Sequence, residues 1–154
     1  MRGLLFAVSA VLCGMVGVAV FTQLQLGWEP CVMCVEIRAL LLGAAFAFLL
    51  AGLIRGGWLR SAVVWVGAAF VGWACWTSGS LFALERGWVQ ASGCSPFARF
   101  PSWMPLQEWF PVLFQPEAIC GDAIKAVAGV PLSLWPIIVC VACAVALGNR
   151  ILRH

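Results

Sequence analysis

Two cysteines and an arginine carry the clearest chemistry in the chain: Cys31 and Cys34 sit three positions apart in WEPCVMCVEIRALLLG, and Arg38 follows four residues after the second. Thiols at that spacing can share one helical turn. A disulfide between them closes a ring too small to restrain the chain, so the pair suits reversible redox chemistry better than a structural staple. Pro30 fits a first helical position, which would set the dithiol at the positive end of a helix dipole, where a thiolate is favoured. Arg38 then falls on the same face one turn beyond Cys34, as a permanent cation able to stabilise nearby anions. The competing assignment for Arg38 is a side chain that snorkels to a membrane surface.

The other six cysteines sort by their surroundings. Cys13 and Cys75 stand singly in apolar segments, and Cys140 and Cys143 lie in the middle of another; buried thiols of this kind act as small hydrophobes. Cys94 and Cys120 belong to a long segment rich in proline and aromatics. A bridge between them would gain about 3 kcal/mol from chain constraint, as a purely structural staple would. Zinc is not expected, because the only second C-x-x-C, Cys140/Cys143, sits deep in an apolar stretch. There is no G-x-G-x-x-G turn, no C-x-x-C-H haem attachment and no iron-sulfur cysteine cluster, and the single histidine is His154. A cycling dithiol must therefore borrow its electron acceptor. At a lipid boundary, elimination leaves quinone dissolved in the bilayer.

The elements that must position these groups are membrane helices. Of 154 residues 64% are hydrophobic and 10% charged, with mean hydropathy +1.03, far from a soluble domain. Four apolar segments approach the ~20 residues needed to span the bilayer. No alternating barrel strands occur, so the expected fold class is all-α: a four-transmembrane-helix bundle forming a single membrane domain over 1–154. Its helices are expected at about 3–21, 31–54, 61–84 and 132–147, with loops at about 22–38 and 85–131.

Arg2, Arg55, Arg60, Arg150 and Arg153 flank these segments on one side without an acidic residue, while Glu29, Glu36, Glu85, Glu108, Glu117 and Asp122 all fall on the other. This bias places both termini in the cytoplasm and both loops outside. The net charge of +3 thus reports topology and gives no reason to expect nucleic acid. The first segment is expected to be retained as a helix, since no small-x-small cleavage site follows it. Outside the cytoplasm disulfides persist, so the four loop cysteines allow two of them. In the second loop, FARFPSWMPLQEWFPVLF is broken by Pro101, Pro105 and Pro111, which suits short pieces resting among lipid headgroups.

Taken together, four helices, EPCVMC followed by Arg38 in the pattern C-x-x-C-x-x-x-R, and a second loop holding Cys94, RFPSWMPLQEWFP and Cys120 make the chain resemble the DsbB family over nearly its whole length. The resemblance implies a bacterial inner-membrane thiol oxidase that reoxidises a DsbA-like periplasmic protein. Its electrons would pass to ubiquinone or menaquinone, with no metal. It further implies that Cys94 forms a mixed disulfide with the partner, that Cys120 passes oxidation to Cys31, and that Cys34 faces the quinone aided by Arg38. Two other readings stay open. One is an enzyme resembling vitamin K epoxide reductase, using Cys94, Cys120 and the Cys140/Cys143 pair. Cys140, however, would lie ~12 Å into its helix with no arginine near. The other is a non-enzymatic membrane subunit with stapled loops.

Overall fold

The computed structural model describes residues 2–27, 30–88, 106–116, 126–127, 130–131 and 133–152. Cys94 and Cys120 lie outside the described residues. In chain order the elements are α1 (Arg2–Leu26), α2 (Val32–Leu53), α3 (Trp58–Glu85), α4 (Leu106–Trp109), α5 (Pro111–Phe114), β1 (Ala126–Val127), β2 (Val130–Pro131) and α6 (Leu134–Leu152). Helices α1, α2 and α3 are each long and apolar enough to cross a membrane, and α6 holds a shorter apolar stretch, Leu134–Ala146. The chain is a multi-pass helical membrane protein. Among the described residues the two strands form one antiparallel ladder, pairing Ala126 with Pro131 and Val127 with Val130.

Several bounds differ from those read off hydropathy. Helix α1 continues past Phe21 through the polar Thr22 and Gln23 to Leu26, and α6 runs on to Leu152. Hydropathy undercounts such ends, because a polar residue in a terminal turn costs little while its backbone still gains hydrogen bonds. The expected first loop at 22–38 therefore shrinks to the few residues between Leu26 and Val32, and both Cys34 and Arg38 lie within α2.

Helix α2 is the middle of the bundle, packed on α1 and α3, while α6 packs chiefly on α3. A register of contacts shows α1 and α2 running antiparallel. Arg2 Nε and Nη2 donate to the carbonyls of Gly52 (3.0 Å) and Leu53 (3.4 Å), and Ser9 Oγ donates to Ala45 O (2.8 Å). At the far end Arg38 reaches Ala19 and Gln23. Arg2 thus caps the carbonyl end of α2, where a cation also complements the helix dipole.

Lipid offers no hydrophobic drive between helices, so close approach depends on small residues that admit larger ones. Ala44, Ala45 and Ala51 of α2 are buried, and Phe48, among the largest fully buried side chains, presses on Gly67 of α3. A Cβ at Gly67 would stand 2.9 Å from Phe48 Cε1. Trp58, Trp65, Trp73 and Trp76 of α3 are instead exposed. At the other end of α3, Ser133 Oγ donates to Glu85 Oε2 at 2.6 Å, tying the approach to α6 onto the end of α3.

The Gly67 contact is directly testable. Gly67→Val should lower stability by about 1–3 kcal/mol through overpacking against Phe48. Gly72→Ala, with nothing within 4 Å of its Cβ, should leave stability unchanged or slightly raised. Thermal unfolding of both variants in detergent, followed by helical circular dichroism, checks the contrast.

Candidate redox site

The site forms where α1 stops and α2 starts. Gly27, at φ +61°, turns the chain out of α1 in the left-handed region that glycine enters without cost. Cys31 is the residue that caps α2, with extended backbone (φ −79°, ψ 166°). Pro30 therefore precedes the cap and does not occupy the first helical position expected from the sequence. The role usually taken by a serine or aspartate oxygen falls here to a sulfur: Cys31 Sγ accepts the backbone N–H of Cys34 at 3.4 Å. Meanwhile Cys31 O receives Val35 N–H at 3.1 Å, starting the helical ladder.

That cap brings the dithiol together. Cys31 and Cys34 are free thiols with their sulfurs 3.0 Å apart, Cys31 buried and Cys34 partly so. Hydrogen bonding from the Cys34 side chain lowers the Cys31 pKa to about 7; burial opposes the shift, and backbone N–H groups of Cys34 and Met33 at the start of α2 support it. The pair is thus asymmetric, with Cys31 the better thiolate and Cys34 the donor that holds it.

Arg38 does not snorkel. Only 7% of its surface is exposed, and its guanidinium is turned into the bundle by three acceptors. Nη1 donates to Gln23 Oε1 at 2.7 Å and to Leu113 O at 3.5 Å, and Nη2 donates to Ala19 O at 3.2 Å. The same Ala19 carbonyl also takes the Thr22 hydroxyl at 3.0 Å. The charge acts on both sulfurs, Cys34 more than Cys31. Arg38 therefore joins three elements: the carbonyl end of α1, the start of α2, and α5 from the long segment. Helix α5 opens on Pro111, needs no side-chain cap, and buries Phe114.

Of the site residues read from the sequence, the structure brings together Cys31, Cys34 and Arg38, and Cys94 and Cys120 fall outside the described residues. Gln23 and the Leu113 carbonyl were not expected. The sequence carried one sign of the first, a Thr22-Gln23 pair interrupting an apolar run, and none of the second. Cys140 and Cys143 are buried core residues of α6, with Cys75 of α3 in hydrogen-bonding contact with Cys140.

Comparison with known proteins adds to this geometry. The family model described as Disulfide bond formation protein DsbB matches residues 1–149. "Disulfide bond formation protein B 2" of Pseudomonas aeruginosa is 31% identical over 128 residues, covering 81% of this chain and 75% of that protein. "Disulfide bond formation protein B" of Shewanella denitrificans is 29% identical over 137 residues, covering 86% and 77%. The protein of the same name from Aeromonas salmonicida is 39% identical over 112 residues, covering 68% and 61%.

The asymmetry of the dithiol sets a pH dependence. Because the Cys31 pKa is lowered, its thiolate should appear as pH rises through about 7, and alkylation of Cys31 in the reduced protein should follow that curve. Cys34→Ala removes the largest cause of the shift, so the midpoint should climb toward the ordinary thiol value of about 8.5. Mass-spectrometric alkylation rates at Cys31 across pH decide it.

Proposed function

The chain belongs to the DsbB family of disulfide bond formation proteins, and on that premise we propose that it is a protein-dithiol:quinone oxidoreductase of the bacterial inner membrane, reoxidising a DsbA-like periplasmic protein at the expense of the membrane quinone pool. The observation that carries the reading is the buried Arg38 guanidinium beside an asymmetric Cys31–Cys34 dithiol at the end of a membrane helix. A structural disulfide has no use for a desolvated cation. A dithiol that must become anionic to transfer electrons does.

The family resemblance supplies the outer half of the reaction. A thiolate of the reduced partner attacks a Cys94–Cys120 disulfide at Cys94, releasing Cys120. The partner's second thiolate then displaces Cys94, and the partner leaves oxidised. The Cys120 thiolate attacks a Cys31–Cys34 disulfide at Cys31 and releases Cys34 as thiolate; Cys94 closes on Cys120, releasing Cys31. Each exchange breaks one S–S bond and makes one, so the electron pair moves inward without loss. Quinone supplies an acceptor of two electrons and two protons within reach of lipid.

The residues of the site suit such an acceptor. Arg38 has more guanidinium N–H donors than the three hydrogen bonds made to described residues, stands one turn from Cys34, and would stabilise negative charge on either side of the transfer. Potentials favour it as well. A DsbA-like protein near about −120 mV can be emptied only by an acceptor of similar or more positive potential, since about 30 mV is worth ~1.4 kcal/mol for two electrons; a quinone pool qualifies and glutathione does not. In this reading the arginine-rich ends of the bundle, with both termini, face the cytoplasm.

Two measurements test the proposal. Arg38→Met should slow quinol production by about 10- to 100-fold, the loss of ~1.5–3 kcal/mol expected for a hydrogen bond to a charged group, while exchange with the partner dithiol stays near the parental rate. Equal losses in both half-reactions would point to a folding role for Arg38. In non-reducing electrophoresis, Cys120→Ser should accumulate a mixed disulfide between Cys94 and the DsbA-like partner, and Cys94→Ser should not. Trapping in neither variant, or equally in both, overturns the order of exchange.

A further inference from the structure

Among the described residues, every acceptor that holds the Arg38 guanidinium is electrically neutral. The shortest of the three bonds runs to the side-chain amide of Gln23, and the other two run to backbone carbonyls. Glu36, the nearest acid in sequence, is two residues away on α2 and so points about 200° around the helix. Among the described residues, the groups whose charges act on Arg38 are Cys34 and Cys31. For stability alone, a glutamate at position 23 would serve better, because a carboxylate meets a guanidinium with a bidentate, charge-assisted pair and settles a buried cation more fully than an amide can. An amide of the same length does something a carboxylate cannot. It fixes the orientation of the cation and leaves its field intact.

We infer that Gln23 is the positioning residue of this site: a neutral acceptor on α1 that sets the Arg38 guanidinium toward the dithiol without itself neutralising the charge, so that the charge serves the sulfur anion and the negative charge arising on the electron acceptor opposite Cys34. The part concerning the acceptor rests on the quinone reading above; the part concerning the sulfur does not. Gln23 lies in the terminal turns of α1, partly buried, one turn beyond the Ala19 carbonyl that takes Nη2. Two successive turns of one helix therefore hold the fork, and the chain's short Gly27 turn brings that helix end beside the start of α2.

The test separates stability from function, which a merely structural role keeps together. Using the full-length protein in detergent, Gln23→Glu and Gln23→Met are compared with the parent for thermal midpoint, for the pH midpoint of Cys31 alkylation, and for KM and kcat with a short-chain soluble quinone. Gln23→Glu should fold with an equal or higher thermal midpoint. Its carboxylate should raise the Cys31 midpoint by about one pH unit, the direction a nearby negative charge imposes on a thiol, and lower quinone turnover about tenfold. Gln23→Met keeps the charge and loses the hold, so quinone KM should rise several-fold with a smaller change at Cys31. A parental Cys31 titration in Gln23→Glu overturns the inference. If that variant does not accumulate, a parental quinone KM in Gln23→Met overturns it equally. A parent that reduces no quinone refutes the proposed function instead, and the Cys31 titration alone then decides the role of Gln23.

Discussion

A guanidinium placed inside an apolar bundle costs on the order of several kcal/mol unless its donors are met, and this end of the molecule is arranged around that requirement. Arg38 cannot be satisfied by its own helix, whose carbonyls are engaged with their own N–H groups. Its partners come from α1 and α5. Towards the C-terminal end of α1 the helix dipole favours a cation, and there the Gln23 side chain and the Ala19 carbonyl, whose oxygen has a second lone pair, accept from Arg38. The N-terminal end of α2 is likewise a natural place for a sulfur anion. Bringing those two ends together with a short turn sets cation and thiolate side by side, with opposite helix dipoles supporting each.

The same arrangement explains why the dithiol is unequal. Cys31 caps the helix and collects hydrogen bonds from N–H groups and from the Cys34 thiol; Cys34 lies inside the helix, one turn from Arg38, whose charge acts on it more than on Cys31. Under the proposed function, a sulfur that forms thiolate readily and one beside a buried cation would serve different exchange partners. Leu113 extends the coupling outward. Its carbonyl is an acceptor for Arg38, so the short helix α5 of the long segment bears on the group that controls the inner sulfur.

Packing elsewhere serves to keep this geometry stiff. Phe48 against Gly67 and Phe6 against Gly52 lock α2 between its neighbours, and Arg2 ties the opposite end of α1 to the last carbonyls of α2. An antiparallel helix pair pinned at both ends has little freedom to slide, and a slide of one turn, ~5.4 Å, would take Gln23 away from Arg38.

The sequence by itself determined the solvent, the helices and the dithiol, because each is written in local quantities: hydropathy over a span's length, the three-residue spacing of Cys31 and Cys34, and a cation at i+4. It also carried the family pattern to which the chain belongs. Only the tertiary structure decided what Arg38 does. Burial and snorkelling predict the same residue at the same position, and they differ only in whether acceptors lie within reach on other helices. Gln23 was visible as a polar interruption, but its meaning depended on α1 running past Phe21 and on the turn at Gly27 laying its end beside α2. Leu113 acts through its backbone carbonyl, which every residue possesses, so no choice of side chain could have announced it.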